Sequence, residues 1–168
     1  MTVDRLRLAD GAVLTVRPIE PEDVERLHRM FFRLSPTTIY KRFFSPIQHP
    51  SRALLERLAS VDHDCREALV ALDGDEIVAV ARYDSECGSH SAEIAVTVED
   101  DWQHRGVGRK LARRLALVAM DHGFDEFSAI VLPDNRDALG LLRRLSPDAH
   151  IEFDSSGFSA TLPLRRAS

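Results

Sequence analysis

Gln103-His104-Arg105-Gly106-Val107-Gly108-Arg109 lies between a β-rich run and a long stretch of helical periodicity. Two closely spaced glycines, flanked by cations at a strand-to-helix turn, make a cradle for a phosphate. The first N–H groups of a helix have no intrahelical partner, and the helix dipole places partial positive charge beside them. A side chain at the glycines would hold phosphate oxygens away from the backbone. A dinucleotide fingerprint needs a further glycine at position 111, where Leu111 stands. A P-loop needs wider-spaced glycines followed by Lys-Ser/Thr, which are missing.

The flanks support a strand–loop–helix reading. In Ser91-Ala-Glu-Ile-Ala-Val-Thr-Val98, alternation puts Ile94, Val96 and Val98 on one face and Glu93, Ala95 and Thr97 on the other. From Gly106 to His122, Val107, Leu111, Leu115 and Val118 form a helical stripe, and Gly123 is placed to stop it. Phe124 to Leu132 contains a strand that a crossover helix would make parallel to its partner. Asp134 or Asn135 can cap a final helix through about Leu145. Ile151–Phe153 and Phe158–Leu162 flank Asp154-Ser-Ser-Gly157 as a closing hairpin.

Upstream, Ala12–Arg17 reads as a first strand. Pro21 suits the first position of a helix through about Leu34, with Val24, Leu27, Met30, Phe31 and Leu34 at helical spacing. Thr37–Phe44 is a second helical segment, and Ser51 can cap a third. Glu67–Leu72 and Glu76–Tyr83 are strands joined at Asp73-Gly74, a tight-turn pair.

The whole chain, 1–168, reads as one domain, and 44% hydrophobic with 29% charged residues is a globular balance. A net charge of −5 argues against a nucleic-acid surface and suits a cationic substrate. Cys65 and Cys87 have no metal-ligand spacing and are too few for a disulfide scaffold, so a reducing cytoplasm is expected. No apolar run approaches the roughly 20 residues of a bilayer span, and the charged N-terminus is followed by no apolar segment. A soluble, unexported protein without membrane or metal partners is expected.

Gln103, Gly106 and Gly108 match Gln/Arg-x-x-Gly-x-Gly/Ala, which resembles the acyl-CoA pyrophosphate loop of the GNAT superfamily of N-acetyltransferases. The order β-α-α-β-β-β-α-β-α-β-β is similar to that family's topology over nearly the whole chain. The implied fold class is α/β, the GNAT acyl-CoA N-acyltransferase fold, with a mixed central sheet flanked by helices. Arg17-Pro-Ile-(x)-Pro-Glu-Asp23 and Leu34-Ser-Pro-Thr-Thr-Ile-Tyr-Lys-Arg-Phe-Phe44 look like the GNAT domain of bacterial Pat-type protein-lysine acetyltransferases. In that group the domain is often fused to a regulatory or synthetase-like partner.

The resemblance implies acetyl-CoA as donor and coenzyme A as product. The acceptor would be a primary amine, preferably a protein lysine, with a small-molecule amine as the alternative. Glu93, in Ala92-Glu-Ile-Ala95, falls where Pat-like members carry a catalytic glutamate. An ammonium must lose a proton before it attacks a thioester, and burial of the carboxylate would raise its pKa toward neutrality. A solvated strand glutamate is the plainer alternative. Val96 and Val98 would offer strand-end backbone to the pantetheine arm, unless they only pair in a sheet or sit at a bulge.

Gln103, His104, Arg105, Gly106, Val107, Gly108 and Arg109 would surround the pyrophosphate. His104 also reads as an exposed loop residue, and Arg113 and Arg114 as a solvated helix face. Asn135 is a cofactor contact or a plain N-cap. Many family members place a general-acid tyrosine where Leu142 stands, and the only tyrosines are Tyr40 and Tyr83. Glu99-Asp100-Asp101 either attracts a cationic substrate or is a solvated turn. Outside catalysis, a non-catalytic acyl-CoA sensor fits the same loop; a homodimer is compatible with either.

Overall fold

The computed structural model describes residues 3–47, 49–155 and 157–165. Strands β1 (Asp4–Arg7) and β2 (Val13–Pro18) are followed by a short helical turn, Pro21–Asp23. Helices α1 (Val24–Arg33), α2 (Pro36–Phe43) and α3 (Arg52–Ala59) come next. The meander β3 (Arg66–Asp73), β4 (Glu76–Asp84) and β5 (Ser91–Val98) leads through the glycine loop to α4 (Val107–Asp121). The chain closes with β6 (Glu126–Val131), α5 (Arg136–Leu145), β7 (His150–Asp154) and β8 (Gly157–Pro163).

These strands form one mixed sheet in the order β1-β2-β3-β4-β5-β6-β8-β7. The pairing of β5 with β6 is parallel, as a helical crossover requires. Because β8 inserts between β6 and β7, the final hairpin extends the sheet rather than capping it.

Alternation along the strands divides the core between two faces. Leu69, Ala71, Ala79, Ala81 and Ile94 pack under Val107, Leu111 and Leu115 of α4. Ala68, Val70 and Val80 on the opposite face pack under Leu27, Met30 and Phe31 of α1, with Ile39 of α2 and Leu55 of α3. Of the expected α4 stripe, Val107, Leu111 and Leu115 are buried, whereas Val118 is only half-buried and Ala112, Ala116 and Ala119 complete the inner face. Deleting Leu115 to alanine in such a core costs about 2–5 kcal/mol.

Local chemistry sets the helix boundaries. Ser35 Oγ accepts from Thr38 N, and Ser51 Oγ accepts from Leu54 N, so each hydroxyl satisfies one orphan donor. The Arg17 guanidinium donates two 2.7 Å bonds to Asp23, whose side chain is fully buried, and Asp23 also accepts from Glu20 N. That fork fixes the end of β2 against the start of α1.

Three features depart from expectation. The strand β1 was not anticipated: among its four residues, Leu6 alone is buried, and period-2 patterning is too short there to read. Three helices precede β3, the third being the one expected from the Ser51 cap, where the β-α-α-β order counted two. The cysteines are bonded: Cys65 and Cys87 form a disulfide with Cα atoms 5.3 Å apart, tying the approach to β3 to the β4–β5 turn.

Candidate active site

β5 and β6 are paired only at Ser91↔Glu126, Ala92↔Phe127 and Glu93↔Ser128. Beyond Glu93 the two strands diverge, although β5 continues to Val98 and β6 to Val131. The opening holds a cleft of about 560 Å³ that passes from the α4 side of the sheet to the α2 side. It lies at the carboxyl ends of parallel strands, where open α/β sheets place their ligands.

On the α4 side, the cleft meets the glycine loop. Gly106 sits at the N-cap with φ +83°, and no side chain caps the helix. Its first-turn N–H groups are therefore left to a ligand. Gly108 is needed for a different reason: a Cβ there would stand 3.2 Å from Val98 Cγ2 and 3.5 Å from Val96 Cγ1. The absence of that carbon lets α4 start directly against β5.

Val96, Val98, Gln103, His104, Gly106, Val107, Gly108, Arg109 and Asn135 all line this cleft. Their side chains do not all turn into it. Gln103 donates to Val98 O at 3.0 Å and to Thr38 Oγ1 at 3.1 Å. Asn135 Oδ1 accepts from Ala138 N, so it caps α5 while facing the cleft. Arg105 lies outside the cleft lining. Its Nε donates to Asp10 at 2.7 Å and its guanidinium stacks on Trp102, 4.1 Å from the ring centre. That geometry departs from the expectation of an Arg105 side chain facing phosphate, and the cause is a carboxylate on the β1–β2 turn. Arg114 likewise ties α4 to β1 through Asp4 and Arg5 O rather than being merely solvated.

On the α2 side, Glu93 opens into the cleft. β4 and β5 pair without a register shift from Ala79↔Val98 to Asp84↔Glu93, so no bulge alters the alternation. Glu93, Ala95 and Thr97 share the face of Arg82 and Asp84. Glu93 is exposed rather than buried, because β6 leaves β5 at that residue. It has no hydrogen bond or ion pair among the described residues.

Opposite it stand Thr38, Lys41, Arg42 and Phe43 of α2, which the Leu34–Phe44 motif carried without showing their purpose. The acidic run beside the loop is mostly structural. Asp100 accepts from Ser35 N, Ser35 Oγ and Thr38 Oγ1 at 2.9, 2.6 and 2.9 Å, while Glu99 pairs with Arg33 at 3.0 Å. Burial opposes ionisation of Asp100, but these bonds outweigh it and hold the carboxyl below its usual range. Leu142 closes the cleft as a buried apolar wall; neither Tyr40 nor the fully buried Tyr83 reaches it.

A mixed sheet splayed at its parallel pair, with an uncapped glycine-led helix at the opening, defines an acyl-CoA N-acyltransferase fold. The chain belongs to the GNAT acetyltransferase family, whose sequence pattern, described as Acetyltransferase (GNAT) family, matches residues 27–146. It is 36% identical over 151 residues to the acetyltransferase PA5475 of Pseudomonas aeruginosa, covering 84% of this chain and 81% of that protein. It is also 36% identical over 143 residues to the acetyltransferase Pat of Mycolicibacterium smegmatis, covering 83% of this chain and 43% of Pat. The crystal structure of the GNAT domain of S. lividans PAT superposes with a TM-score of 0.90 at 30% identity, over 96% of this chain and 97% of that domain. No helix among the described residues is long and apolar enough to cross a membrane.

Proposed function

We propose that this enzyme moves the acetyl group of acetyl-CoA to a primary amine, preferably a protein lysine, with Glu93 as general base. The observation that carries this reading is the through-sheet cleft. It joins the unpaired helix start at Gly106 to an unpaired carboxylate at Glu93.

The donor enters on the α4 side. N–H groups of Val107, Gly108 and Arg109 take the pyrophosphate, with the Arg109 cation alongside. The free edge of β5 at Val96 and Val98 orders the pantetheine arm and polarises the thioester carbonyl. Asn135 contributes its side-chain N–H₂, since its oxygen is used as a cap. The amine arrives from the α2 side. Glu93, through a water, takes its proton; the nitrogen attacks the carbonyl, the C–N bond forms and the C–S bond breaks. Water protonates the departing thiolate, whose pKa of about 8.5 makes it a tolerable leaving group.

The lysine preference rests on the likeness of Arg17–Asp23 and Leu34–Phe44 to Pat-type domains; a small-molecule amine is the second reading. A cytoplasmic setting belongs to the same proposal. It requires that Cys65 and Cys87 be kept reduced there, as thiols in that compartment are.

Glu93→Gln tests the base. Its kcat should fall at least about 100-fold while acetyl-CoA affinity is unchanged. Unchanged turnover would move the base elsewhere. A wild type that binds acetyl-CoA but transfers to no amine would make the chain a sensor.

A further inference from the structure

Arg42 is a cation on the acceptor side of the cleft that the fold leaves without a partner. Three other arginines on this side of the sheet are engaged. Arg26 binds Asp23 and Asp75, Arg33 binds Glu76 and Glu99, and the buried Arg82 binds Asp84 and Leu58 O at 3.2 Å each. Arg42 has no hydrogen bond and no ion pair among the described residues; its guanidinium lies 4.9 Å from the centre of the Phe43 ring.

It stands in the last turn of α2 and lines both the main cleft and a small apolar chamber bounded by Ile19, Leu27, Phe31 and Leu58. Burial and the nearby Arg82 charge push its pKa down to about 10, against the attraction of Asp84 and Glu93. It is therefore cationic at neutral pH and only partly solvated. A charge in that position gains from a partner brought by a ligand.

The partner's chemistry follows from the geometry. A guanidinium fork matches a carboxylate. The phosphates of the donor belong at the α4 end, on the face of Val96 and Val98, whereas Arg42 sits on the face of Ala95 and Thr97. Glu93 and Arg42 thus face one cleft as an anion and a cation, neither bonded to the other. The complement to that pair is a molecule carrying both an amine and a carboxylate.

We infer that Arg42 reads a carboxylate carried beside the acceptor amine, and that the preferred acceptor is a lysine flanked by an acidic residue. This rests on the transfer reading above and deepens it: Glu93 takes the proton of the amine, and Arg42 selects which amine arrives.

The test uses two peptides that differ only in Asp or Asn next to a single lysine. Turnover and calorimetric binding to the coenzyme A-loaded protein are measured for wild type, Arg42→Gln and Arg42→Lys. The wild type should favour the Asp peptide about tenfold in kcat/KM, and Arg42→Gln should bring the ratio to about one. Arg42→Lys keeps the charge without the fork and should fall between. It also serves if Arg42→Gln does not fold, as judged by melting and by acetyl-CoA titration.

Turnover without an Asp preference, or a preference that survives in Arg42→Gln, overturns the inference and leaves the transfer reading standing. Arg42-dependent binding of the Asp peptide without turnover does the reverse. Failure of both peptides to bind or react overturns the acidic-lysine assignment. Transfer to free amino acids alone, with the same Arg42 dependence, also overturns it and places the carboxylate on a small amine.

Discussion

Gln103 donates its side-chain amide to the carbonyl of Val98 at 3.0 Å, closing the glycine loop onto the end of β5. The same nitrogen donates to Thr38 Oγ1, which in turn donates to Asp100. The loop, the free strand edge and the start of α2 are therefore held as one polar unit. The donor and acceptor halves of the cleft are joined through it.

Replacing Gln103 with leucine removes the donor from a partly buried carbonyl and a partly buried hydroxyl. Stability should fall by about 1–2 kcal/mol, and acetyl-CoA should bind more weakly because the strand end loosens. Urea denaturation alongside calorimetry separates the two effects. Unchanged stability with lost binding would make Gln103 a direct ligand instead of a tie.

Asp100 gives the unit an acid limit. Its hydrogen bonds from Ser35 and Thr38 depress its folded pKa below the ordinary aspartate range, so the folded state holds its proton less tightly than the unfolded state. The contribution is fully present above about pH 5 and is lost as pH falls through the folded value. Denaturation midpoints between about pH 6 and pH 3 should fall more steeply for wild type than for Asp100→Asn, which is less stable at neutral pH. Parallel curves would show that Asp100 takes no part in the acid limit.

The Arg17–Asp23 fork is structural. Arg17→Met leaves a fully buried carboxylate without its principal cation and should cost about 3 kcal/mol or more. Arg17→Met with Asp23→Asn should recover part of the loss, because the stranded charge is removed with its partner. Equal losses in the single and double variants would contradict this.

Sequence patterning located what local chemistry controls. The helix start at Gly106, the Val107, Leu111 and Leu115 stripe and the Asn135 cap follow from neighbouring residues, and each lies where the pattern put it, while Val118 is only half-buried. The alternation at Glu93 holds because β5 has no bulge. Partners far along the chain were not legible. Arg105 turns to Asp10, and Glu99 and Asp100 turn to Arg33 and Ser35. Cys65 meets Cys87 because β3 and β4 pair beside the β4–β5 turn. The exposure of Glu93 depends on where β6 departs, and Arg42 stands out only once Arg26, Arg33 and Arg82 are seen to be engaged.

The central claim is that the splayed cleft binds acetyl-CoA through the start of α4. Calorimetric titration of the purified protein with acetyl-CoA, beside Gly106→Glu, tests it most directly. The substitution forces a side chain onto a residue at φ +83° and sets a negative charge against the phosphates. The account predicts micromolar binding in the wild type that Gly106→Glu loses while still folded. No binding at millimolar acetyl-CoA, or equal binding by the variant, would contradict it.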